Sequence, residues 1–252
     1  IKLPYSTGCI WSYCRTDDEI TNNYSFDVHD WVYVLDDSFD VDKTAQHLAE
    51  CDIVGISYFV WNTHACDKVC AKIKKINPKC IIIYGGLGTP KYGRCDQFLK
   101  DRPFIDMIVH NEGEIVFKNI LKALLYKQDL RDIKGITTHL FQTPLDGRVK
   151  DISSMPSPYL DGLFDDLIAI KKHTYAWESL IELERGCPYT CTFCEVGDRH
   201  WTKIHKQDYN KLVREIDWVS DKKIEYLHLI DNNFGMYKEH KIISDLLINK
   251  LA

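Results

Sequence analysis

The sequence predicts an α/β protein in two parts: a doubly wound parallel sheet, then the opening strands and helices of a βα barrel. Three observations predict it. Strand-like and helix-like segments alternate along most of the chain. The strand segments are nearly continuous apolar runs, which is the pattern of a parallel sheet covered on both faces. From residue 178 onward a strand, a long loop, a helix and a second strand follow one another, the order with which a βα barrel begins.

The elements read in order. Leu3 to Gly8 reads as a loop and Cys9 to Thr16 as a short helix, with any strand leading into that loop lying before residue 1. Strands are expected at Trp31 to Leu35, Asp52 to Val60, Cys80 to Tyr84 and Ile105 to His110. Helices are expected at Val41 to Glu50, Thr63 to Asn77, closed by Pro78, and Glu114 to Tyr126. On the second of these helices Cys66 and Cys70 share a face with Val69, Ile73 and Ile76, so both read as core residues. Gly135 to Leu140 and Arg148 to Lys150 read as a small hairpin, and Ser153 to Pro158 as a linker. Asp208 can cap a helix with Leu212, Ile216 and Val219 inward, Ile224 to Ile230 reads as a strand, and Lys238 to Leu251 as a last helix. The division expected is therefore 1–130 for the sheet domain, 131–160 for hairpin and linker, and 161–252 for the start of the barrel.

At 252 residues the chain can bury one large or two ordinary cores, and 45% hydrophobic with 27% charged residues is a soluble globular composition. A net charge of -5 leaves no Lys/Arg excess, so no nucleic-acid partner is expected. No apolar run nears the ~20 residues of a membrane span. Ten cysteines in such a composition suggest reduced thiols and a cytoplasmic setting.

The chemistry concentrates at Glu184-Arg185-Gly186-Cys187-Pro188-Tyr189-Thr190-Cys191-Thr192-Phe193-Cys194, directly after the alternating run Leu180 to Glu184. Thiolates select iron–sulfur clusters, and four normally close a [4Fe–4S] cube. Three leave one iron open to chelate a small molecule. The alternative is a zinc site with His200 or His205 as fourth ligand, which would make the chain a non-catalytic binding module.

The C-x3-C-x2-C spacing, with Gly186, Pro188 and Phe193 around it, resembles the signature of the radical S-adenosylmethionine (radical SAM) superfamily. The resemblance implies that Cys187, Cys191 and Cys194 hold a [4Fe–4S] cluster. Its open iron would bind S-adenosylmethionine and its electron would cleave it to a 5'-deoxyadenosyl radical. Phe193 would pack near the adenine, and Asp231, Asn232 and Asn233 would accept from the amino group of the methionine end. With Arg185, Lys203 and the Glu215-Ile216-Asp217-Trp218 segment, the Asp231-Asn232-Asn233-Phe234-Gly235 stretch resembles a cobalamin-type radical SAM group. Glu195-Val196-Gly197 departs from the sequence usual there.

Three further loops, Ser57 to Asn62, Gly85 to Gly88 and Asn111 to Glu114, end successive strands, where ligands of open parallel sheets bind. Together they resemble the Rossmann-like cobalamin-binding domain that precedes many radical SAM enzymes. Ser57, Gly85, Gly86 and Gly88 then correspond to the positions that cradle the nucleotide tail. Tyr5 stands where that domain usually has a histidine on cobalt, and Leu3 where it has an aspartate.

The activity implied is cobalamin-dependent radical SAM chemistry, with methyl transfer to an unactivated carbon of a small-molecule or peptide substrate and a flavodoxin- or ferredoxin-type electron donor. Cyclisation, rearrangement or methylthiolation is the alternative within the family. Two βα units stand where such a barrel needs about six, so a piece of a longer protein with an open sheet edge is expected.

Overall fold

A computed structural model describes residues 2–28, 39–171, 176–194, 196–197 and 199–251. The strand expected at Trp31 to Leu35 lies outside the described residues. The chain forms two compact units, Asp17–Arg148 and Ile1–Thr16 with Val149–Ala252.

The first helix, α1 (Tyr5–Arg15), begins where the sequence suggests a loop. Residues 1–16 group with 149–252 and not with the sheet that follows them. The cause is local. Lys2 pairs in parallel with Glu178, Leu3 N donates to the Glu178 carbonyl at 2.8 Å, and a Cβ on Gly8 would fall 2.6 Å from the Phe164 ring. The start of the chain is thus packed onto the later unit.

In residues 17–148 the elements are α2 (Asp18–Asn23), α3 (Val41–Leu48), β1 (Ile53–Ser57), α4 (Thr63–Ile76), β2 (Ile81–Gly85), α5 (Asp96–Lys100), β3 (Met107–Val109), α6 (Gly113–Tyr126) and β4 (Ile136–Thr138). The sheet order is β1-β2-β3-β4, with β1, β2 and β3 parallel. Both faces are covered. Ile56, Ile82 and Ile108 pack with Ala45 and Leu48 of α3 and Cys66, Val69, Cys70 and Ile73 of α4, whereas Ile83, Met107 and Val109 pack with Val116 and Ile120 of α6. Cys66 and Cys70 are core residues as expected; burial pushes the Cys70 thiol up to about 12, so it stays protonated.

The expected hairpin forms with a different second arm: 135–138 turns back onto 141–144, Thr137 opposite Gln142, and not onto 148–150. The other edge of β4 lies antiparallel to β3, Val109 opposite Ile136, which buries Ile136 against Val116 and Ile120 and supports a ribbon that alone is marginal in water.

The later unit holds α7 (Leu163–Lys171), β5 (Glu178–Ile181), β6 (Glu184–Arg185), β7 (His205–Lys206), α8 (Tyr209–Asp221), β8 (Tyr226–Leu229) and α9 (Lys238–Leu251). Strands β5 and β8 are parallel, with α8 between them in sequence. Asp208 caps α8 by accepting from Lys211 N at 2.9 Å, and Leu212, Ile216 and Val219 are buried. The short antiparallel pair β6–β7, Arg185 opposite His205, closes the base of the cysteine loop.

Two of the strand-end glycines also have a packing role. A Cβ on Gly86 (φ +101°) would lie 2.8 Å from Tyr58 O, and one on Gly88 2.9 Å from Phe59 Cα. The missing side chains let two strand-end loops of the protein touch each other, so these glycines are required by chain packing. Gly86→Ala is expected to cost about 2–3 kcal/mol through clash and left-handed backbone strain, read as a lower urea midpoint at unchanged slope.

Candidate metal centre and cofactor loops

The cysteine loop hangs from a zipper of three consecutive residues after β8. Asp231 Oδ1 accepts from Leu183 N at 2.8 Å and Glu184 N at 2.7 Å. Asn232 Nδ2 donates to the Gly186 carbonyl at 3.4 Å, and Asn233 Oδ1 lies 3.7 Å from Cys187 Sγ. Each residue of the second loop holds the next point along the first.

Asp231 is therefore only partly the open acceptor expected of it, because one oxygen is consumed by backbone. Among the described residues, the remaining atoms, Asp231 Oδ2 and Asn233 Nδ2, are buried without a hydrogen-bond partner. Buried orphans of this kind call for a ligand. Burial also pushes the Asp231 carboxyl up to about 6, against the two N–H bonds, and the Glu184 carboxyl is raised by burial as well.

Within the loop, Cys187 N donates to the Trp201 carbonyl at 2.8 Å, Cys194 N to Cys191 O and Gly197 N to Cys194 O, both at 3.1 Å. A Cβ on Gly197 would fall 2.2 Å from Cys191 O, so a glycine is obligatory at that turn. Cys187 and Cys194 are half-buried and Cys191 is exposed. Phe193 is 91% exposed and free to meet a ligand. No three His, Cys, Asp or Glu side chains among the described residues gather tightly enough to hold a single ion. Zinc and a cube alike need their thiolates drawn around one centre, so this arrangement favours neither metal over the other. His205 Nδ1 is also bound to the Lys150 carbonyl at 2.6 Å, and His200 stands edge-on to Trp201.

The cofactor positions fall in two places. Tyr5 is in the unit that carries the cysteines, where it stacks on Tyr159 at 5.9 Å. Ser57, Gly85, Gly86 and Gly88 are at the carboxyl ends of β1 and β2 in the other unit. There Asn62 shapes the loop, accepting from Phe59 N at 2.8 Å and donating to Ser57 O at 2.9 Å. Gly85 has open space, its nearest Cβ contact being Val109 O at 3.8 Å. Phe59 and Trp61 stack at 4.7 Å, and Trp61 is 70% exposed alongside exposed Val60 and Leu87.

Sequence reasoning missed two buried side-chain pairs beside these loops. His240 Nε2 lies 3.6 Å from Glu184 Oε2, and Arg148 Nε 4.0 Å from Glu112 Oε2. The only available signals were charged residues at positions adjoining apolar ones, a pattern shared with many solvated residues.

The fold and site together define a two-unit α/β protein with three cysteines on the loop that follows the first strand of a parallel βαβ unit. No family model matches the chain. Over 240 residues, 93% of this chain and 34% of that protein, it is 29% identical to the cobalamin-dependent radical SAM methyltransferase TokK of Streptomyces tokunonensis. Over 212 residues, 79% of this chain, it is 29% identical to the anaerobic magnesium-protoporphyrin IX monomethyl ester cyclase of Synechocystis, 40% of which is covered. The structure of the cobalamin-dependent S-adenosylmethionine radical enzyme OxsB, with aqua-cobalamin and S-adenosylmethionine bound, superposes over 100% of this chain and 35% of its own with a TM-score of 0.72 at 20% identity. The chain spans about a third of the length of the first of these curated relatives. Over most of its length the chain is thus similar in sequence to cobalamin-dependent radical SAM enzymes, and it shares their fold.

Proposed function

We propose that the chain is the cobalamin-domain and first-barrel part of a radical SAM methyltransferase acting on an unactivated carbon. The observation that carries this reading is the zipper of Asp231, Asn232 and Asn233 against the root of the Cys187-Cys191-Cys194 loop, with buried orphan atoms beside Cys187. The donor set fits a cube with one open iron, and Cys187, Cys191 and Cys194 would hold it. Such a cluster, when bound, supplies the electron that cleaves the sulfonium of S-adenosylmethionine.

The chain's own residues then have separate tasks. Asp231 Oδ2 faces the methionine ammonium, Asn233 its carboxylate, and exposed Phe193 covers the adenine. Ser57 and Gly85 border the nucleotide tail of cobalamin, and Trp61, Val60 and Leu87 offer the apolar surface for its macrocycle. A small-molecule or peptide substrate and a flavodoxin- or ferredoxin-type donor complete the reaction. The cyclase relatives favour one second reading, a non-methylating radical SAM reaction.

Anaerobic reconstitution with iron and sulfide, then labelled S-adenosylmethionine and reductant, tests the proposal. Brown protein that releases 5'-deoxyadenosine or S-adenosylhomocysteine supports it; colourless protein with one zinc overturns it. For the cobalamin loop, Trp61→Ala is expected to weaken hydroxocobalamin binding about tenfold, the loss of one large apolar contact, measured by equilibrium dialysis. Wild-type chain that fails to bind at near-millimolar cobalamin would remove the methyl-carrier role.

A further inference from the structure

The start of α9 grips the base of the cysteine loop at three points. Lys206 on β7 has its Nζ 3.7 Å above the Tyr237 ring and 3.6 Å from Glu239. Its partner across the ribbon, Glu184, has a side chain only 1% exposed, and His240, 6% exposed, faces it at 3.6 Å. Glu184 has no hydrogen-bond partner for either carboxylate oxygen among the described residues, where His240 Nε2 faces it at 3.6 Å and the Lys206 charge also acts on it.

The imidazole is fixed from its other side. His240 Nδ1 accepts from Gly235 N at 2.7 Å, which puts the ring proton on Nε2, the nitrogen facing Glu184. The ring also stacks on Phe234, centroids 5.0 Å apart and planes 9° apart. One side chain therefore touches both the loop after β8 and the residue whose N–H is held by Asp231.

We infer that His240 is a positioning residue: through Gly235 on one side and Glu184 on the other, it fixes the loop after β8 against the root of the cysteine loop. The inference rests on the radical SAM reading for its consequence, which is the affinity for the methionine end of S-adenosylmethionine. His240 itself contacts Gly235, Glu184 and Phe234.

Two variants separate its contacts. In His240→Asn the side-chain oxygen stands near Nδ1 and keeps the Gly235 bond while the Glu184 contact is lost; in His240→Gln the amide reaches toward Glu184 and the Gly235 bond is lost. Each reconstituted chain is assayed for iron and sulfide, for melting temperature, and for the change in the reduced-cluster EPR spectrum on titration with S-adenosylmethionine. In the cluster-free chain, amide exchange at Leu183, Glu184 and Gly235 is followed.

His240→Asn is expected to load iron and melt as wild type, to need about tenfold more S-adenosylmethionine for the half-maximal spectral change, and to exchange Leu183 and Glu184 amides about tenfold faster. His240→Gln is expected to speed exchange at Gly235 and to retain most of the nucleotide affinity. Wild-type titration and exchange in His240→Asn would overturn the inference. So would loss of iron together with a collapsed melting temperature in both variants, because the histidine would then only hold the fold. If the wild-type chain loads iron but shows no spectral response, the radical SAM reading fails, and the exchange data on cluster-free protein still decide whether His240 couples the two loops.

Discussion

Replacing Cys187, Cys191 or Cys194 with alanine is expected to abolish iron–sulfur assembly, lowering bound iron from about four per chain to near zero. A cube with one open iron has no spare ligand, so the loss of any of the three thiolates leaves a second iron uncoordinated. The contrast is with the buried cysteines. Burial holds the Cys70 and Cys80 thiols up to about 12 and about 11, and raises Cys66 further still, so none of them offers a thiolate near neutral pH. Cys66→Ala and Cys70→Ala should therefore keep full iron while losing about 1 kcal/mol of stability from the core they fill. Iron and sulfide assays with Mössbauer spectra check both halves. Full iron in any of the three loop variants would break the assignment, as would zinc replacing iron in the wild type.

What could be read without coordinates divides along a physical line. Signals carried by local chemistry were legible: the Asp208 cap, the inward face of α8 and the buried thiols on α4. Signals that depend on which distant backbone arrives nearby were not. That Gly86 and Gly88 pack closely on Tyr58 and Phe59 is visible only once those residues are seen beside them. Tyr5 fits a strand-end loop by sequence, but the pairing of Lys2 and Leu3 with Glu178 carries it to the other unit. Ile136 to Thr138 turns back onto 141–144 as a local hairpin, but that its other edge joins β3 and buries Ile136 against α6 depends on distant partners. His240 and Glu184 are 56 residues apart in the numbering and bear no local mark of each other.

Asp231→Asn is expected to move stability and nucleotide affinity in opposite directions. The amide oxygen can still accept from Leu183 N and Glu184 N, so the zipper survives. What disappears is a carboxylate that burial and the neighbouring Glu184 have pushed from its ordinary 3.8 up to about 6. Between those two values the native chain holds more protons than the unfolded chain, so stability falls as pH rises. The penalty is absent below pH 4 and complete above about pH 6 to 7, where it amounts to about 2 kcal/mol after solvent screening. The variant should thus melt higher than wild type at pH 8 and lose the difference on acidification to pH 4 to 5. A methionine ammonium, by contrast, needs the charge. With Asp231 Oδ2 replaced by an amide nitrogen, S-adenosylmethionine is expected to bind at least tenfold more weakly. Thermal melts across pH and a nucleotide titration of the reconstituted chain measure the two effects separately. A variant that gains stability and keeps its affinity would leave Asp231 with the zipper alone and move the ammonium site elsewhere.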